Sequence, residues 1–116
     1  MLLIHGVGRV QADRRDELLA AARRVCEASR SDAGCLTYGF FTDIEDPDVV
    51  VSLELWRDES SLSAHMQHEH TTAFLGVATD LLEKPPTVTQ YAIDDPPVDR
   101  PGPAPATPPH PPAKED

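Results

Sequence analysis

The residues of this chain that could do chemistry gather between Ser52 and His70. A run Val49-Val50-Val51-Ser52-Leu53-Glu54-Leu55-Trp56 ends on the only tryptophan, and His65, His68 and His70 follow within fourteen residues. Alternate side chains of a strand share a face, so Ser52, Glu54 and Trp56 point one way and Val51, Leu53 and Leu55 the other. The second set reads as plain core. The first offers a carboxylate and an indole, with imidazoles arriving on the next element. A histidine that titrates near neutrality could remove a proton from a bound compound, and an inward carboxylate needs a partner or a task. His65 lies on the apolar side of its helix with Leu62 and is the candidate base. Glu54 is read either as a catalytic group that orients a polar neighbour or as half of a structural pair. Metal binding is not expected: the His-x-x-His-x-His spacing spans an apparent helix break, and no carboxylate or cysteine stands at a usual ligand interval.

These residues must be carried by regular elements, and the patterning supplies them. Leu2 to Val10 alternates and reads as strand one, with Gly6 and Gly8 marking a bend or a close backbone approach. An amphipathic helix is expected from about Asp13 to Ser29, with Leu18, Leu19, Ala22, Val25 and Cys26 on one side. Ser31-Asp32-Ala33-Gly34 is turn chemistry. Cys35 to Thr42 is strand two, a polar loop with Pro47 makes a hairpin, and Val49 to Trp56 is strand three. Asp58 caps a short helix, the chain breaks near Gln67 to His70, and a second helix runs until Lys84-Pro85-Pro86 stops it. Thr87 to Ile93 is strand four. The order β-α-β-β-α-α-β is the split arrangement of an α+β, ferredoxin-like sheet.

Composition sets the remaining bounds. The 116 residues carry 20 acidic and 10 basic side chains, a net charge of −10. Such a surface repels phosphate backbones and anionic headgroups, so neither nucleic acid nor a membrane is an expected partner. No stretch has the length of a membrane span or the layout of a signal peptide, and Cys26 and Cys35 read as reduced, so a cytoplasmic location is expected. Residues 1–94 form the expected domain. Residues 95–116 hold nine of the twelve prolines and only Val98 as a large apolar residue. They are expected to be a disordered tail, because they cannot bury enough surface to offset ordering.

Several strings are more specific. Gly34-Cys35-Leu36-Thr37-Tyr38, Glu54-Leu55-Trp56, Leu62 with His65, and His70 with Phe74 resemble the antibiotic biosynthesis monooxygenase family over residues 2 to 94. The resemblance implies a homodimeric α+β barrel, two four-stranded sheets packed face to face, with a pocket between each sheet and its helices. It implies cofactor-free oxidation of a small phenolic, quinol or polyketide-like aromatic compound by dioxygen, with neither cofactor nor metal. The alternatives are isomerisation of a small carbonyl compound, or a non-catalytic ligand-binding or structural dimer. His65 and Glu54 are then the expected catalytic pair, and Trp56, Tyr38, His70, Ser52 and His5 the expected substrate contacts. The chain departs from the family in two places. Ser52 stands where anthrone-oxidising members are similar in having Asn, and strand one lacks the Asn of haem-degrading members.

Overall fold

A computed structural model describes residues 1–95 and 97–103. The elements are β1 (Leu2–Arg9), a short 3₁₀ turn (Ala12–Arg14), α1 (Arg15–Ser29), β2 (Cys35–Thr42), β3 (Val49–Trp56), α2 (Glu59–Gln67), α3 (Glu69–Leu81) and β4 (Thr87–Ala92). The first helix therefore opens two residues later than its acidic start suggests, because that stretch closes as a 3₁₀ turn. The break near residues 67–70 shrinks to His68 alone, whose extended backbone separates α2 from α3. Most of the expected tail lies outside the described residues. Among those described, no helix is long and apolar enough to cross a membrane.

The strands form one antiparallel sheet in the order β2-β3-β1-β4. The β1–β3 pairing keeps one register throughout, whereas β2–β3 shifts by one residue between Cys35 and Thr37 and holds its register from there on. The fold is ferredoxin-like, with all three helices on one face. Leu2, Ile4, Val25, Cys26, Tyr38 and Trp56 make one core cluster beneath them, and Val10, Leu18, Val50, Ala78 and Leu81 make a second.

The assignment of sheet faces reverses the expectation. The covered face is the one bearing Ser52, Glu54 and Trp56, whereas the apolar set Val51, Leu53 and Leu55 lies on the open face. Cross-strand register aligns that set with Leu3, His5 and Val7 on β1, with Phe41 on β2 and with Tyr91 on β4. Phe41 and Tyr91 are each about half exposed.

Two local devices bring the polar residues together. Gly34 adopts φ +80°, a backbone that other residues reach only at a cost, and a Cβ there would fall 2.0 Å from Ser61 Oγ. The α1–β2 turn thus lies directly against the start of α2, locked by the Arg57 amide donating to the Gly34 carbonyl at 2.8 Å. The Asp58 carboxylate then caps α2, accepting from the Ser61 amide at 2.8 Å and from the Ser61 hydroxyl at 2.7 Å. Asp32, in the turn, is left beneath the α2–α3 junction.

Candidate active site

A cavity of about 390 Å³ lies between the sheet and the α2–α3 pair. Its sheet wall comes from even-numbered positions: Ile4 and Gly6 on β1, Tyr38 and Phe40 on β2, Ser52 and Glu54 on β3, Val88 and Gln90 on β4. Helical residues Leu62, His65, Met66, Thr71, Phe74 and Leu75 close it. The lining is mostly apolar and includes no lysine or arginine. It therefore suits a neutral, flat, apolar ligand with a few polar atoms. Gly6 leaves room for Ser52 on this wall, since a Cβ there would meet Ser52 Oγ at 2.5 Å and force that hydroxyl to turn away.

Glu54 is the carboxylate of the cavity. Burial pushes its carboxyl above the ordinary range, and the Trp56 indole N–H, donating to Oε1 at 2.9 Å, only partly offsets that. Tyr38 is held well above its ordinary range too, by burial first and then by the Glu54 charge, so it is a neutral phenol. Trp56 has no exposed surface and stands behind the cavity wall. Its ring packs against His65 with centroids 4.5 Å apart and against Tyr38 at 6.3 Å. Expected as a substrate contact, it lies outside the cavity lining, packs behind His65 and donates to Glu54.

His65 is 2% exposed and sits on the cavity wall. Its Nδ1 lies 2.8 Å from Asp32 Oδ2, a partner 33 positions away. The Thr71 hydroxyl is 3.3 Å from Nδ1 and 3.4 Å from Nε2, so it lies along the ring's edge. An imidazole whose Nδ1–H donates to a carboxylate keeps its lone pair on Nε2, the tautomer a general base needs.

His70 does not reach the cavity. Its Nε2 lies 2.9 Å from the same Asp32 oxygen, and the residue borders a second, smaller hollow of about 210 Å³ between α1 and α3. The His68 side chain is 42% exposed, and its Nδ1 lies 3.0 Å from Asp32 Oδ1. That nitrogen is buried but not aligned for a hydrogen bond. His5 pairs with Leu53 and Thr89 on the open face, the wrong parity of β1 for the cavity, and is likewise corrected as a cavity contact. Tyr38, Ser52, Glu54 and His65 are thus the expected site residues that the fold brings together.

Asp32 is the residue that reading the chain missed. It sat among turn formers, and only the packing of the turn against α2 delivers it to three histidines. Burial tends to raise its carboxyl, but hydrogen bonds from His65 and His70, with His68 beside them, outweigh burial and hold it below the ordinary aspartate range.

Comparison with known proteins agrees with this architecture. The family model described as "Antibiotic biosynthesis monooxygenase" matches residues 1–76. The chain is 30% identical over 92 residues to an uncharacterised protein of Synechocystis sp., covering 79% of this chain and 63% of that protein. It therefore spans less than two thirds of that relative's length. It is also 25% identical over 95 residues to a Bacillus subtilis protein named "Putative monooxygenase YcnE", covering 82% of this chain and all of that one. A crystal structure described as that of an antibiotic biosynthesis monooxygenase superposes with a TM-score of 0.76 at 27% identity, over 80% of this chain and 98% of its own.

Proposed function

This chain belongs to the antibiotic biosynthesis monooxygenase family, and we propose that it oxidises a small phenolic, quinol or polyketide-like aromatic compound with dioxygen, without a cofactor. The observation that carries this reading is a cationless apolar cavity with a carboxylate-backed histidine and a buried carboxyl on its wall. In the proposed reaction His65 Nε2 removes a proton from an activated C–H or O–H group. The resulting anion passes one electron to dioxygen, and recombination forms a C–O bond. Where the site of attack is a methylene, the peroxide takes the proton back and loses water, so R₂CH₂ + O₂ becomes R₂C=O + H₂O. The protein need supply only binding, deprotonation and stabilisation of the anion. Glu54, with its raised carboxyl, and the neutral Tyr38 phenol would hydrogen-bond the ligand's oxygens and stabilise that charge.

The reading includes a homodimer. The open face aligns Leu3, Val7, Phe41, Val51, Leu53, Leu55 and Tyr91, a contiguous apolar sheet that one copy leaves uncovered. Two such faces packed together would close an α+β barrel.

Oxygen uptake with a panel of quinols, anthrones and small hydroxy-carbonyl compounds tests the function. At least one aromatic compound should consume oxygen, and His65→Ala should slow that turnover by roughly 10²- to 10⁴-fold with the fold intact. A His65→Ala protein that works at the wild-type rate would remove His65 as the base. Conversion of hydroxy-carbonyl compounds without oxygen uptake would replace oxidation by isomerisation.

A further inference from the structure

Behind the cavity wall, on the side away from the ligand space, Asp32 meets three imidazoles, and a carboxylate with three histidines is more than an orienting partner requires. We infer that Asp32, His65, His70 and His68 form a binding site for one divalent transition-metal ion of the zinc class. The donor atoms of Asp32, His65 and His70 all lie within 4.8 Å of one another. His65 Nδ1 and His70 Nε2 are 2.8 and 2.9 Å from Asp32 Oδ2, and His68 Nδ1 is 3.0 Å from Oδ1.

The independent sign is His68. Its Nδ1 is buried 3.0 Å from Asp32 Oδ1, within ion-pair distance of the carboxylate but not aligned for a hydrogen bond. A buried ring nitrogen held by a misaligned charge contact is less well satisfied than one at a fourth ligand position would be. His68 is also the single extended residue between α2 and α3, so its ring is the easiest of the four to reposition.

The chemistry of the set selects the ion. Imidazoles with one carboxylate suit zinc and its first-row neighbours, while calcium and magnesium prefer oxygen. Tetrahedral zinc with ligand bonds of about 2.0–2.1 Å needs donors about 3.3 Å apart. The separations from the imidazoles to Asp32 are some tenths of an ångström shorter than that, which suits protons held between the same atoms. Ion and protons therefore compete for one cluster. Entry is open from solvent, since His68 and His70 side chains are 42% and 27% exposed while Asp32 and His65 are 8% and 2%.

Occupancy would tie the α1–β2 turn to the α2–α3 junction across three separate elements. It would also change the catalytic histidine. An ion on His65 Nδ1 leaves the proton on Nε2, so the imidazole facing the cavity becomes a donor and cannot act as a base. That consequence rests on the function proposed above; metal binding itself does not.

The test is calorimetric titration of the tag-free, EDTA-treated full chain with zinc chloride, repeated with cobalt chloride and followed by visible absorption. One ion per chain, protons released on binding, and the intense bands of tetrahedral cobalt are expected. His70→Ala and His68→Ala, both on the exposed side of the cluster, should each weaken binding at least tenfold, and Asp32→Asn more. His5→Ala, on the opposite face, should not change it. No saturable binding at millimolar zinc would overturn the site and leave a hydrogen-bonded core cluster. Binding that survives both His70→Ala and His68→Ala would place the ion elsewhere on the acidic surface and overturn it equally.

Discussion

The two faces of the sheet carry opposite chemistry from the way they are covered. On the face under the helices, β3 presents Ser52, Glu54 and Trp56; on the open face it presents Val51, Leu53 and Leu55. A chain folding alone would be expected to hide the aliphatic set and hydrate the mixed one. The reversal is consistent with two different burial events. The helices enclose a mostly apolar cavity with a few polar groups on its wall, and in the proposed homodimer the aliphatic face would be covered by the second copy. The indole illustrates the first event: Trp56 has no exposed surface, yet its N–H is spent on Glu54 rather than on water.

Removing the pillar of the covered face gives the largest expected effect. Trp56→Ala should cost about 3–5 kcal/mol in urea unfolding, the usual range for a fully buried aromatic, and should release His65 and Glu54 together. A loss under about 1 kcal/mol, the scale of ordinary surface changes, would mean that the helix-side core does not depend on it.

The open face should respond differently. Leu53→Lys places two like charges near each other in a symmetric pair of sheets, because one substitution appears twice across a two-fold interface. Light scattering should show the wild type near twice its 12.7 kDa chain mass and the variant as a monomer, with dimer affinity lowered by at least 100-fold. Retention of a dimer by Leu53→Lys would put the contact elsewhere and break the comparison.

The smallest effect concerns Glu54 and pH. Its carboxyl is raised in the folded chain, by burial above all, so the folded state holds the proton more tightly than the unfolded state does. Stability should therefore fall as pH rises from the ordinary glutamate range, about 4.3, through the raised folded value. Glu54→Gln should flatten that decline, measured as the difference between variant and wild type at pH 4 and at pH 7. Asp32 runs the other way: its lowered carboxyl contributes stability above the ordinary aspartate range that is lost as pH falls through the folded value. An equal wild-type-to-variant difference at both pH values would show that Glu54 is not desolvated and that the cavity is wetter than its lining implies.

Much of the architecture could be read without coordinates. Periodicity of two in Leu2–Arg9, Cys35–Thr42 and Val49–Trp56, periodicity of 3.6 in Arg15–Ser29 and the Asp58 cap are all local properties, whereas α3 ends at Leu81, where Leu82 turns extended to bridge Val10, ahead of the expected stop at Lys84-Pro85-Pro86. The local properties follow from backbone geometry over a few residues, so the element order and the sharing of a face by Ser52, Glu54 and Trp56 were legible. Periodicity cannot say which face a helix will cover, because alternation marks the two faces as different without saying what packs on either. It also missed Asp32, whose neighbours in sequence are turn formers and whose neighbours in space are 33, 36 and 38 positions away. Only the left-handed Gly34 and its close approach to Ser61 bring that carboxylate under the histidines. Strand parity, too, needed the register to take effect: His5 and Ile4 are adjacent in the chain, yet pairing sends one to the open face and the other to the cavity. Sequence thus determined which side chains travel together on each element. Tertiary packing decided what they meet, because a carboxylate's partner is set by distance through space, and no local repeat encodes that distance.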